Sequence, residues 1–214
     1  MQTELVSEIY ETILGKIGHL QWWPADTPFE VVIGTILTQQ TKWTNVEKAI
    51  EALKMSDLIE PEKLADADVE QIQELVRCCG FYRQKSKRLK DIAGFFATEG
   101  MDKIFSLPTD ELRELMLSLK GVGNETADSI ILYAADKPKF VIDAYTTRIM
   151  KCIGIEGNYM KLQRLFEAGI PADVPLYKEY HALIVEYAKN YCGKKQCEDC
   201  ILMHRFRDKE VKNG

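Results

Sequence analysis

The stretch Leu119–Met150, LKGVGNETADSIILYAADKPKFVIDAYTTRIM, decides the reading of the fold. Gly121 and Gly123 flank Val122, and glycine tolerates the positive φ values and close backbone approach that a tight turn between two helices requires. Val122 is expected to point into the small core of this hairpin. Asn124 is placed to cap a helix through Thr126, Ala127, Ile130, Ile131 and Tyr133, leaving the N–H groups of the turn and of the helix N-terminus facing outward together. Such a surface holds phosphate without reading bases. Gly-x-Gly alone is a weak signal, and an ordinary αα-turn would carry the same residues. Beyond the helix, a lone aspartate, Asp143, heads another predicted helix, where the commonest task of an aspartate is to cap.

Outward from this stretch, 214 residues with 46% hydrophobic and 29% charged content suffice for one large domain or two small ones sharing an interface. No apolar run approaches the ~20 residues of a membrane span. The N-terminal MQTELVSEIYETILGK is too acidic and amphipathic for a signal peptide, so a cytoplasmic location, nucleoid-associated in a prokaryote, is expected. The net charge of −5 argues mildly against nonspecific nucleic-acid binding but does not exclude a basic face. Without a secretory signal, the six cysteines are not expected to form a disulfide framework.

Helical periodicity dominates, and no alternation is long enough for a sheet, so the fold is read as all-α. Leu5, Ile9, Ile13 and Ile17 line a first helix. Thr27-Pro28-Phe29-Glu30 gives an N-cap with proline at the first helical position, opening a helix apolar nearly all round that belongs in the centre of a bundle. Further helices are predicted at about 43–55, 68–78, 83–98, 109–118, 124–135, 143–153, 159–168 and 175–191.

Leu-x-Gly-Val-Gly-x-x-Thr-Ala at 119–127, followed by Val141-Ile142-Asp143-Ala144-Tyr145 and Arg148, resembles the helix-hairpin-helix and Gly/Pro-rich loop with catalytic aspartate of the endonuclease III (HhH-GPD) superfamily of DNA glycosylases. The resemblance runs from about Trp22 to Cys200. It implies two helical subdomains with an active-site cleft between them. Residues 25–135 would form a six-helix block containing the hairpin, and 1–24 plus 136–214 a second block with Asp143 and the C-terminal cysteines. Trp22-Trp23-Pro24, Leu37-Thr38-Gln39-Gln40-Thr41-Lys42 with an aromatic next, and Gly-x-Glu-[Ser/Thr]-Ala in the hairpin are together similar to the 3-methyladenine DNA glycosylase III branch.

By this resemblance Asp143 is the catalytic carboxylate. Cleaving an N-glycosidic bond builds positive charge on the sugar, which a fixed carboxylate stabilises, and the same group can orient or deprotonate a water. Capping and catalysis are compatible. Bifunctional relatives carry a lysine two residues after the second glycine, and here that place is Glu125, which cannot form an imine. Lys120 lies on the other arm of the hairpin and is not assigned as nucleophile. Trp22, Trp23 and Trp43 are either helix packing or, with Glu125, the lining of a base pocket, since flipped bases stack on aromatic rings and a cationic alkylated base is attracted to ring faces. Gln40 stands where the family fills the gap left by the flipped nucleotide. Phe81 matches the loop that wedges the opposite strand, although a buried loop anchor would read the same. Gly121, Val122, Gly123, Asn124, Thr126, Lys42 and Arg148 complete the expected DNA-binding set. Arg83, Lys85, Lys87, Arg88 and Lys90 form a charged run that is either a local basic face for DNA or simply a solvated helix face.

Cys192, Cys197, Cys200 and His204 give C-x4-C-x2-C-x3-H, a spacing that points to a metal site or its remnant. Many relatives hold a [4Fe–4S] cluster on four cysteines at intervals of six, two and five. Here the first interval is shortened and Phe206 replaces the fourth cysteine, so a cluster, a Cys3His zinc site and no metal all remain open. The glycosidic chemistry requires no cofactor. The expected function is a monomeric, monofunctional glycosylase acting on an alkylated purine of the 3-methyladenine type in damaged duplex DNA, with no membrane partner. The alternatives are a uracil or mismatched-thymine glycosylase on the same fold, and a non-catalytic helix-hairpin-helix DNA-binding protein.

Overall fold

The computed structural model describes residues 2–20, 25–192 and 198–210, and every regular element among them is helical. The first helix, α1, spans Gln2–Ile17 and buries Val6, Ile9 and Ile13 along one face. The chain divides into two compact units, Met1–Trp22 with Pro138–Gly214, and Trp23–Lys137.

The second of these units opens with α2, Pro28–Leu37, in which every residue after the proline is buried. Its start is set locally as the sequence predicts: Thr27 accepts a hydrogen bond from the Glu30 N–H at 3.1 Å, and Pro28 occupies the first helical position, where no N–H is needed. Then come α3 (Trp43–Met55), α4 (Pro61–Asp66), α5 (Val69–Leu75), α6 (Tyr82–Glu99), α7 (Met101–Ser106), α8 (Thr109–Ser118) and α9 (Asn124–Ser129). The unit therefore holds more helices among its described residues than the six expected. The six-residue helices α4 and α7 are too short to show a periodicity and were not foreseen. The 68–78 prediction breaks into α5 and a 3₁₀ turn at Arg77–Cys79. The longest helix of the unit, α6, packs along α4, α5 and α2, and Phe96 on its buried face meets Phe29 edge-on.

The helix after the hairpin also departs from expectation. Asn124 does not cap it: Gly123 occupies the cap position, and the Asn124 side-chain carbonyl accepts instead from Arg113 at 2.7 Å. The same guanidinium pairs with Asp128, which is wholly buried, at 2.7 Å. A carboxylate can be buried this way only because a cation and further hydrogen bonds replace its water. After Ser129 the helix widens to a π-turn over Ile130–Ala134, all of it buried against α2.

In the other unit, α10 (Ala144–Cys152), α11 (Tyr159–Gly169), α12 (Val174–Asn190) and α13 (Ile201–Glu210) join α1. Helix α1 packs on α11 and α12, and α12 on α10. Phe140, at the entry to this unit, stacks on Phe166 with centroids 4.5 Å apart and meets Tyr177 and Tyr180 edge-on. Tyr180 is fully buried and satisfies its hydroxyl on the Val6 carbonyl at 2.8 Å. This aromatic core fixes the segment that leads into Asp143.

Candidate functional site

The hairpin turns at Gly121, whose φ of +86° is one that side chains rarely adopt. A Cβ there would also stand 2.6 Å from Arg88 Nε and displace that side chain. Val122 is buried as expected, while Gly121, Gly123 and Glu125 are exposed. Gln39 links this turn to the loop after α2: its Nε2 donates to the Gly121 carbonyl at 3.2 Å and to Thr126 Oγ1 at 3.1 Å, and its Oε1 accepts from Arg88 Nη1 at 2.7 Å.

These residues wall a polar cavity of about 430 Å³, lined by Thr38, Gln39, Gln40, Arg88, Glu125 and Thr126 among others. Glu125 and Gln40 are thus brought to one place in the wall of this cavity. Trp43 does not line this cavity. It begins α3 and donates its indole N–H to Glu47, one turn on, at 2.8 Å. Lys42, just before it, is exposed. Trp22 and Trp23 lie outside the described residues.

Gln40 and Phe81 share an unusual backbone state: both sit in the left-handed region, at φ 54° and 46°. Neither is glycine, so each conformation costs free energy that the surroundings must offset. Both are exposed, and Phe81, at 62% exposure, is no buried loop anchor.

The charged run on α6 matches neither of its two readings. Lys85 is 2% exposed, Lys90 is fixed on the carbonyls of Ala65 and Ala67, and Arg88 reaches Gln39, so only Arg83 and Lys87 are open to solvent. Apart from the Cys79 carbonyl, six residues before Lys85, the acceptors of these cations lie 23 to 49 residues away in sequence, and no local pattern announces them.

Asp143 is the N-cap of α10. Its Oδ1 accepts from the Thr146 N–H at 2.6 Å and from Thr146 Oγ1 at 2.8 Å, which locks the carboxylate plane. Oδ2 stands 3.8 Å from Nε2 of His181, a buried residue of α12. Burial pulls the His181 pKa below its ordinary value, and the Asp143 charge opposes this only in part. Near neutral pH the imidazole is therefore uncharged and does not neutralise the carboxylate. His181 was not foreseen; a histidine on an apolar helix face carries no local sign of its partner. Arg148 is exposed on α10 and lies over the Tyr145 ring at 5.9 Å.

The C-terminal cysteines do not form a metal centre among the described residues, where no three His, Cys, Asp or Glu side chains converge. Cys200 is buried with its thiol 3.3 Å from the Tyr187 hydroxyl, and His204 Nε2 pairs with the Glu198 carbonyl. Phe206, in the place of a fourth thiolate, is 1% exposed and packs as core. Cys192 is half-buried, and Cys197 lies outside the described residues. Among the described residues, Cys192, Cys200 and His204 do not gather into a ligand set by themselves.

A glycine turn between two helices, with a polar cavity beside it, is a helix-hairpin-helix arrangement. Residues 33–172 match the HhH-GPD superfamily of base excision DNA repair proteins. A Methanocaldococcus jannaschii protein provisionally named as a DNA repair glycosylase is 47% identical over 206 residues, spanning 92% of this chain and 93% of its own. Endonuclease III of Thermotoga maritima is 32% identical over 201 residues, spanning 87% and 88%. Among solved structures, the Helicobacter pylori 3-methyladenine DNA glycosylase bound to 1,N6-ethenoadenine superposes with a TM-score of 0.77 at 33% identity, covering 88% of this chain and 97% of its own. The chain belongs to the HhH-GPD superfamily, among its endonuclease III-type DNA glycosylases. No helix among the described residues is long and apolar enough to cross a membrane.

Proposed function

We propose that this glycosylase removes alkylated purines of the 3-methyladenine type from duplex DNA by hydrolysis, without a covalent lyase step. The observation that carries the reading is Glu125 in the cavity wall beside Gly121 and Gly123. A carboxylate there offers no amine to the sugar, and its negative charge favours a base already made cationic by alkylation. The Helicobacter relative, named as a 3-methyladenine DNA glycosylase and solved with 1,N6-ethenoadenine, supports a modified purine as the substrate.

In this reading duplex DNA docks its phosphates on the N–H groups of the Gly121–Asn124 turn. Gln40 occupies the space vacated by the flipped nucleotide, and Phe81 wedges the opposite strand. As the C1′–N bond breaks, its electron pair leaves with the base, and Asp143 Oδ2 stabilises the positive sugar. Water adds to C1′, and Asp143 takes its proton. Oδ1 stays committed to Thr146, so the catalytic oxygen is held without a rotamer search.

The test is a panel of duplexes carrying 3-methyladenine, 7-methylguanine, hypoxanthine, uracil or a thymine–guanine mismatch. Release of 3-methyladenine ahead of the others supports the proposal. Preferential release of uracil or thymine would transfer the enzyme to pyrimidines, and release of nothing would leave a non-catalytic DNA-binding module.

A further inference from the structure

The loops carrying Gln40 and Phe81 are 41 residues apart in the chain, yet one buried ammonium touches both. Lys85 Nζ donates to the Leu37 carbonyl at 2.8 Å, where α2 ends, to Thr41 Oγ1, and to the Cys79 carbonyl at 3.0 Å. An ammonium has three donors, and here all three are used. Thr41 Oγ1 in turn donates to the Cys79 carbonyl, closing a ring of hydrogen bonds between the residue after Gln40 and the strand of chain just before Phe81.

A lysine this buried is costly unless its water is replaced in full, and burial does lower its pKa. Surface placement would have been cheaper, and packing alone would be served by leucine or methionine. What the charge adds is a rigid joint. Two non-glycine residues, Gln40 and Phe81, are held in left-handed conformations on either side of that joint, both pointing into solvent. Three residues further along α6, Arg88 extends the tie through Gln39 to the Gly121 carbonyl and Thr126.

We propose that Lys85 is a positioning residue that fixes the gap-filling loop at Gln40 and the wedge loop at Phe81 to each other before DNA arrives. The inference rests on the reading above that these two side chains enter the duplex. The two insertions then act as one preformed tool, and the ordering cost is met on folding rather than on binding.

Lys85→Met removes the joint, and Thr41→Val, a milder change that takes the hydroxyl out of the ring while leaving Lys85 on the Leu37 and Cys79 carbonyls, stands in if the first variant folds poorly. Lys90→Met is the matched control, since it strips a lysine of α6 from two carbonyls at the C-terminal end of α4 and touches neither insertion loop. The first readout is amide hydrogen exchange in the free protein. Thr41 and Gly80 should both exchange about 10-fold faster or more in the Lys85 and Thr41 variants, and not in Lys90→Met. The second is single-turnover release of 1,N6-ethenoadenine placed opposite thymine or opposite an abasic analogue, where no partner base need be wedged away. The Lys85 and Thr41 variants should lose about 10-fold or more with thymine opposite and less than about 3-fold with the abasic analogue. Equal losses on both duplexes, or exchange that quickens at one loop only, would overturn the coupling. A wild type that releases neither 1,N6-ethenoadenine nor 3-methyladenine would overturn the enzymatic reading instead, while the exchange result still decides the role of Lys85.

Discussion

Asp143 divides its carboxylate between two tasks: Oδ1 caps α10 through Thr146, and Oδ2 stands 3.8 Å from Nε2 of the buried His181. The cap fixes the group in place, and the neutral imidazole leaves its charge available. A protonated His181 would pair with the same oxygen that the proposed chemistry needs, so the proton affinity of that ring links acidity to both stability and rate.

The first consequence is a pH dependence. The pKa of folded His181 is lowered from its ordinary value of 6.5. Above about pH 6.5 the ring is neutral in folded and unfolded chains alike, and the full stability is present. As pH falls below that value the unfolded chain takes up a proton that the folded one refuses, so stability is lost until the folded pKa is reached. Thermal melts between pH 7.5 and 5 should show a steeper fall for the wild type than for His181→Gln. Parallel curves would show that the ring does not contribute.

Glycine at 121 and glycine at 123 should differ. Gly121→Ala places a Cβ at positive φ and against Arg88, whereas at Gly123 the backbone is ordinary and a Cβ meets nothing within 4 Å. Thermal unfolding should therefore report a loss of about 1–2 kcal/mol for Gly121→Ala, and of less than about 0.5 kcal/mol for Gly123→Ala. Loss of equal size at both positions would contradict the geometry of the turn.

Borohydride reduction during turnover tests the hydrolytic assignment of the hairpin. With Glu125 in the cavity wall, the wild type should yield no protein–DNA adduct above background while still releasing base. Efficient trapping would reveal an amine nucleophile elsewhere, with Lys120, exposed at the start of the turn, the first to replace by methionine.

How far the sequence carries can be judged from these same residues. The Thr27-Pro28 start of α2, the Gly-Val-Gly turn and the Asp143 cap are legible because each is written within four residues. The short helices α4 and α7 fall below the length at which a period can be recognised. Lys85, Arg88 and Lys90 read as a face for DNA or solvent because most of their acceptors, carbonyls at the ends of α2 and α4, the Thr41 hydroxyl and the Gln39 amide, are distant in sequence. Charge runs predict exposure only when nothing buried needs a cation. His181 and the Arg113–Asp128 pair were invisible for the same reason: the meaning of a polar residue on a helix lies in a neighbour that only the fold supplies.

The most direct measurement is single-turnover release of 3-methyladenine from a methylated duplex by the wild type and by Asp143→Asn, alongside the affinity of each for that duplex. Asparagine caps a helix about as well as aspartate, so the variant should fold with stability within about 0.5 kcal/mol of the wild type. Its DNA affinity should be retained, because the turn proposed to hold phosphate lies elsewhere in the chain. Release should fall by about 100-fold or more, the scale on which removing a fixed electrostatic partner of the transition state is felt. An Asp143→Asn protein that binds normally and still releases base at the wild-type rate would contradict the account at its centre.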